Sequence, residues 1–165
     1  MSKLNNVNCR VKIFFVFLLF THVILLHTDI AGGTEISIPS LKGKTGKTIE
    51  VPLVIDEASN LAGIKLIINY DKGLLTFKEG NKTKSTQPMM HIINDKKPGR
   101  LVIVMAGAKG ISGKDLALMT LTFEIKAGLK GNHTTQFEIV EAQLMSDQLK
   151  EIKCRITVKA LNILP

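Results

Sequence analysis

The sequence predicts an all-β sandwich preceded by a secretory signal peptide, and three observations predict it. The N-terminal stretch reads as basic residues, an apolar run and small residues, in that order. Beyond it, apolar residues recur in short runs with the period-two alternation of strands. Clusters of glycine, proline, asparagine, aspartate and lysine punctuate those runs where turns are needed.

The first element spans residues 1–33. Lys3, Arg10 and Lys12 form a basic start, and Ile13 to Leu26 is apolar apart from Thr21 and His22. This run is shorter than the roughly 20 residues that cross a bilayer as a helix. It reads as the core of a signal peptide, with Ala31, Gly32 and Gly33 as the small-residue cleavage site. An uncleaved N-terminal anchor is the alternative. Export implies an extracellular or cell-surface protein that meets the membrane only in transit. Cleavage removes Cys9 and leaves Cys154 without an intrachain partner, so a packed core must hold the domain.

The domain itself is expected over residues 34–160, with 161–165 as a short tail. Thr48–Ile55, Leu61–Tyr70, Leu74–Lys78, Leu101–Ala106, Leu116–Lys126, Thr135–Leu144 and Ile152–Lys159 carry the strand pattern. Turns separate them at Lys42-Gly43-Lys44-Thr45-Gly46, Asp71-Lys72-Gly73, Lys97-Pro98-Gly99 and Leu129-Lys130-Gly131-Asn132. Pro52 removes a ladder donor, so its strand should lie at an edge or carry a bulge. Ser112 to Met119 has room for one short helical turn. In the last strand, parity places Ile152, Cys154, Ile156 and Val158 on the buried face, with Cys154 as a small hydrophobe.

Little in the chain suggests chemistry. The net charge falls from +8 to +6 when Lys3, Arg10, Lys12 and Asp29 leave with the signal. The remaining lysines are dispersed, which reads as a solvated surface and predicts no nucleic-acid partner. Gly46-Lys47-Thr48 ends like a phosphate-binding loop, but Leu41 stands where that loop needs glycine and a strand follows. His91 and His133 have no ligand spacing with another His or Cys. Asp56, Glu57, Asp71, Asp95, Asp115 and Asp147 fall at loops without a calcium-loop pattern. No nucleophile elbow is present. Asn81-Lys82-Thr83 and Asn132-His133-Thr134 are formal glycosylation triplets only. The expectation is a binding protein that is not an enzyme and needs no cofactor and no metal.

From Glu35 onward, the order of features resembles a cohesin domain. Ile36-Ser37-Ile38 leads to Gly43-Lys44-Thr45-Gly46 and then Ile49-Glu50-Val51-Pro52-Leu53. Leu61-Ala62-Gly63-Ile64 runs into Asn69-Tyr70-Asp71 and Leu74-Leu75-Thr76-Phe77. Asn94 and Gly99 precede Leu101–Ala106, and Ile111-Ser112-Gly113-Lys114-Asp115-Leu116 leads to Met119-Thr120-Leu121-Thr122-Phe123-Glu124-Ile125. Ile156-Thr157-Val158 closes the match. The resemblance implies a nine-stranded jelly-roll sandwich that binds a dockerin-like module from one flat sheet face, in a setting linked to polysaccharide breakdown. Self-association is the other protein partner weighed. The chain departs from the family at Lys72, where Tyr-Asp-Pro is usual, and at Lys65, where some cohesins carry an acidic residue. A carbohydrate-binding module of the same fold is the alternative, with polysaccharide as direct ligand. Such modules stack aromatic rings on sugars, and only Tyr70, Phe77, Phe123 and Phe137 remain after the signal.

Leu66-Ile67-Ile68 and Leu101 to Met105 are apolar on both parities. With Leu66, Ile68, Val102 and Val104 assigned to the core, Ile67, Leu101, Ile103 and Met105 point outward. They form the expected centre of a partner-binding face, with Lys65 and Asn69 at its rim. The alternative is that these are sandwich-core strands covered on both sides.

Overall fold

The computed structural model describes residues 33–165. The signal segment lies outside that range, except for Gly33. The strands are β1 (Thr34–Ile38), β2 (Leu41–Lys44), β3 (Thr48–Asn69), β4 (Leu75–Lys82), β5 (Met90–Asn94) and β6 (Arg100–Ile125). They continue as β7 (His133–Thr135), β8 (Glu138–Ser146), β9 (Glu151–Ile152), β10 (Cys154–Val158) and β11 (Leu161–Leu164). A single 3-10 turn, Lys84–Thr86, interrupts them.

β3 and β6 form the spine. They run antiparallel from Thr48 opposite Glu124 to Asn69 opposite Arg100, with register shifts at Leu53/Val54 and on both sides of Leu61. Such bulges let one long strand bend from one layer of a sandwich into the other. On one side of the bend, β1 and β4 flank the spine and β10 adds to β1 in parallel. On the other side β8 and β5 flank it, and β9 adds to β8. Val51, Leu53 and Ile55 from the first half join Ile64, Leu66 and Ile68 from the second in one core. Phe123 lies at its centre, with the rings of Tyr70, Phe77 and Phe137 packed around it at centroid distances of 5.0, 5.5 and 5.1 Å.

The bend depends on a glycine. A Cβ on Gly110 would lie 2.4 Å from the carbonyl of Asn60, so no side chain fits where β6 passes β3. Asn60 itself takes a left-handed φ of 53°, a conformation that asparagine tolerates better than most residues. Its amide donates to Ser112 Oγ at 2.8 Å.

The all-β jelly-roll sandwich read from the sequence is the observed fold. Hydrogen bonding divides it into eleven strand segments among the described residues, because short pieces such as β2, β7 and β9 count separately. Two local expectations are corrected. Residues 161–164 are not a tail but β11, the centre of a three-stranded sheet between β2 and β7, with Leu161 and Ile163 fully buried. Ser112 to Met119 is strand throughout, because its backbone pairs with Leu53 to Ala58 of β3. Pro52 lies beside the Leu53/Val54 register shift, where β1 covers only Val54 and Ile55 of β3. Ile156, assigned to the buried face of the last strand, is 42% exposed, and Cys154 is half-buried.

Candidate functional site

Antiparallel register decides which side chains share a face, because residues directly opposite one another point the same way. Ile64, Leu66 and Ile68 of β3 face the core, and their partners on β6 are Met105, Ile103 and Leu101. All three are therefore buried, at 2%, 0% and 0% exposure. This corrects the outward assignment of Leu101, Ile103 and Met105. Grouping Val102 and Val104 with Leu66 and Ile68 is one residue out of register, and a one-residue slip exchanges the two faces of a strand.

The outer face is built from four cross-strand rows. Met90, Ala106, Gly63 and Met145 form one row across β5, β6, β3 and β8. Ile92, Val104, Lys65 and Gln143 form the next, and Asn94, Val102, Ile67 and Glu141 the third. Arg100, Asn69 and Glu138 close the far end. Four strands at about 4.8 Å spacing and four rows at about 6.8 Å give a platform of roughly 14 by 20 Å between backbone positions. Met90 and Ile92 are 78% and 70% exposed, the largest values among the apolar residues of this face, and Val104 and Met145 exceed 40%. Apolar surface on this scale, left open by the described residues, is of the kind found at interaction sites.

Lys65 and Asn69 lie on the outward side of β3, Lys65 within the platform and Asn69 in its end row, and both are bonded to β8. Lys65 Nζ lies 2.7 Å from Glu141 Oε1, and Asn69 Nδ2 donates to Glu138 Oε2 at 3.0 Å. Ile67 has the expected parity but is only 7% exposed, because Val102 and Glu141 flank it in register. It forms the floor of the face rather than its contact surface. One end of the platform is hollowed into a depression of about 440 Å³ over Gly63, walled by Lys65, Val104, Ala106, Gln143 and Met145. Glycine at 63 opens this depression, since a Cβ there would lie 3.2 Å from that of Met145.

Met90, Ile92, Val104 and Met145 were missed by the sequence analysis. The hairpin Lys97-Pro98-Gly99, closed by a bond from the Arg100 amide to the Lys97 carbonyl at 3.0 Å, is the signal that points to them. It joins β5 to β6 and sets Asn94 opposite Val102. Nothing on the face suggests chemistry. Among the described residues no group of three His, Cys, Asp or Glu is placed to hold a metal. Phe123 and Phe137 are buried and Tyr70 and Phe77 half-buried, so among the described residues no Phe or Tyr is fully exposed.

The family model for the cohesin domain matches residues 34–163. The chain belongs to the cohesin-domain family. No curated protein matches it by sequence. Among solved structures, a non-cellulosomal cohesin from the hyperthermophilic archaeon Archaeoglobus fulgidus superposes with a TM-score of 0.72 at 19% identity, covering 81% of this chain and 93% of that one. The sixth cohesin of scaffoldin B from Acetivibrio cellulolyticus, solved in complex with a mutant Cel5 dockerin, gives 0.72 at 21% identity, covering 79% and 99%. The OlpA cohesin of Clostridium thermocellum, solved in a type I cohesin–dockerin complex, gives 0.71 at 15% identity, covering 81% and 100%. Identities this low establish the shared fold. This cohesin's own surface is described by its own residues.

Proposed function

We propose that this cohesin is a non-catalytic docking module, exported by its N-terminal signal, that binds a dockerin-type partner across the β5–β6–β3–β8 face. The observation that carries the reading is the exposed apolar platform of Met90, Ile92, Val104 and Met145, set on a rigid sheet with an ion pair in its middle. Apolar contact supplies affinity at such a surface, and polar groups fix orientation. The Lys65–Glu141 bridge presents both charges to a partner already paired, which lowers the cost of covering them. The family membership and the dockerin complexes of similar structures support the choice of partner. Such a partner would place the protein in extracellular assemblies that degrade polysaccharide.

The test uses Ile92→Asp and Val104→Asp, each in the folded domain, titrated by calorimetry against a panel of dockerins. Both changes should leave the circular dichroism spectrum intact and weaken the partner by about 2 kcal/mol or more, as loss of a central apolar contact does. Undiminished affinity in both variants would retire this face. Retention on cellulose or xylan with no dockerin bound would transfer the reading to direct carbohydrate binding. A dimer in sedimentation that either variant dissolves would point to self-association.

A further inference from the structure

Three exposed lysines converge away from the docking face. Lys42 and Lys44 alternate on the outer side of β2, so their Cβ atoms lie about 7 Å apart. The chain then turns back at Thr45-Gly46, with Gly46 at φ 73°, and the Lys47 amide donates to the Lys44 carbonyl at 3.1 Å. The turn is held on both sides. The Thr45 amide and Oγ1 donate to the Leu164 carbonyl at 2.9 and 3.2 Å, and the Gly46 amide donates to the Ile125 carbonyl at 3.0 Å. Lys42, Lys44, Lys47, Thr48 and Leu164 thereby line a shallow pocket of about 330 Å³ on an anchored backbone.

No described carboxylate pairs directly with these lysines. The sheet β2–β11–β7 contains no aspartate or glutamate. Of the nearest acids on the spine, Glu124, opposite Thr48, is bound to Lys78, and Glu50 is unpaired. Neutral hydrogen-bonding groups lie beside the cations. Asn162 is opposite Lys42, and Thr134 is opposite Asn162. Thr134 Oγ1 donates to Asn162 Oδ1 at 3.1 Å, which leaves the Asn162 amide donors for a ligand.

We infer that the outer side of β2 and its turn, with Lys42, Lys44 and Lys47 as cations and Thr48 and Asn162 as hydroxyl partners, binds a carboxylate-bearing polysaccharide. An open pocket with charges spread along a strand suits an extended polyanion better than a single enclosed ion. Cations placed beside amide and hydroxyl groups match an acidic sugar chain, which carries carboxylates and hydroxyls together. Among the described residues the sheet β2–β11–β7 carries no Phe, Tyr or Trp for a nucleic-acid base to stack on. No residue of this site belongs to the docking face, so the two can bind independently.

Polygalacturonate is the probe, with dextran as the uncharged control and poly(glycerol phosphate) as the phosphate polymer. The triple variant K42Q/K44Q/K47Q is compared with K72Q/K114Q/K153Q, which removes the same charge from exposed lysines elsewhere. The first triple should weaken polygalacturonate binding about tenfold or more and flatten its salt dependence, as lost polyanion contacts do. The second should change binding by less than about threefold. Lys44→Glu alone, on an exposed side chain, should show the same direction of loss should the first triple melt early. Equal losses in the two triples, or no binding of polygalacturonate by the unaltered protein, would overturn the site. Tighter binding of poly(glycerol phosphate) would overturn the assignment to a carboxylated sugar.

Discussion

Ile103 and Val104 are neighbours of similar size on one strand, and aspartate at each should have opposite consequences. Ile103 is fully buried opposite Leu66, and Val104 is 41% exposed opposite Lys65. Ile103→Asp gives up about 2–3 kcal/mol of apolar burial. It also places a carboxyl without a partner in the core, which costs several kcal/mol more whether the group stays charged or takes up a proton. A total of at least about 5 kcal/mol is comparable with the whole stability of a domain, typically about 5–15 kcal/mol. Val104→Asp keeps its carboxylate in water beside the Lys65 ammonium, and its cost should stay near 1 kcal/mol. In a domain of this size each kcal/mol moves the melting midpoint by about 3–6 °C. Ile103→Asp should therefore melt at least about 15 °C lower or fail to fold, and Val104→Asp should melt within about 6 °C of the parent. Calorimetric or circular-dichroism melts read both. A stable Ile103→Asp beside an unfolded Val104→Asp would show that the β3–β6 register is wrong, and the docking face with it.

Three further outcomes follow from local geometry. Gly110→Ala forces a methyl against the Asn60 carbonyl, which is backbone and cannot swing aside, so chemical denaturation should show a loss above about 2 kcal/mol. Thr86 is fully buried and its hydroxyl donates to the Leu118 carbonyl at 2.7 Å. Thr86→Val leaves that carbonyl without its partner and should cost about 1–3 kcal/mol by the same measurement. Burial, helped by the nearby Glu151 carboxylate, raises the Cys154 thiol above its ordinary range. Alkylation of the native protein should accordingly reach its half-maximal rate at a higher pH than in the denatured chain. The stabilising contribution of the neutral thiol should be complete below the pH where a free thiol ionises and decline above it.

Much of the fold was legible because strand alternation and turn chemistry are local properties. Thr48–Ile55, Leu61–Tyr70 and Leu116–Lys126 appear as strand except for the terminal Tyr70 and Lys126, and Gly46 and Gly99 sit at turns with φ of 73° and 89°. The tail at 161–165 was misread because Leu161-Asn162-Ile163-Leu164 is short, and what makes it a strand is β2 on one side and β7 on the other. Ser112 to Met119 was misread for the same reason, since its conformation comes from its pairing with β3.

The candidate site divides along the same line. Residue order alone establishes that Leu66-Ile67-Ile68 and Leu101 to Met105 are apolar on both parities, and that Lys65 and Asn69 share one side of their strand. Which parity of the second strand lies on the outer face was decided by register. Register is set by the Lys97-Pro98-Gly99 hairpin, the bulges at Leu53 and Leu61, and the packing of Leu101, Ile103 and Met105 against the opposite layer. A strand whose two faces are both apolar carries no hydrophobic preference for either side. The choice between them is therefore made by the partner strands and the core they close, and only the tertiary structure contains those.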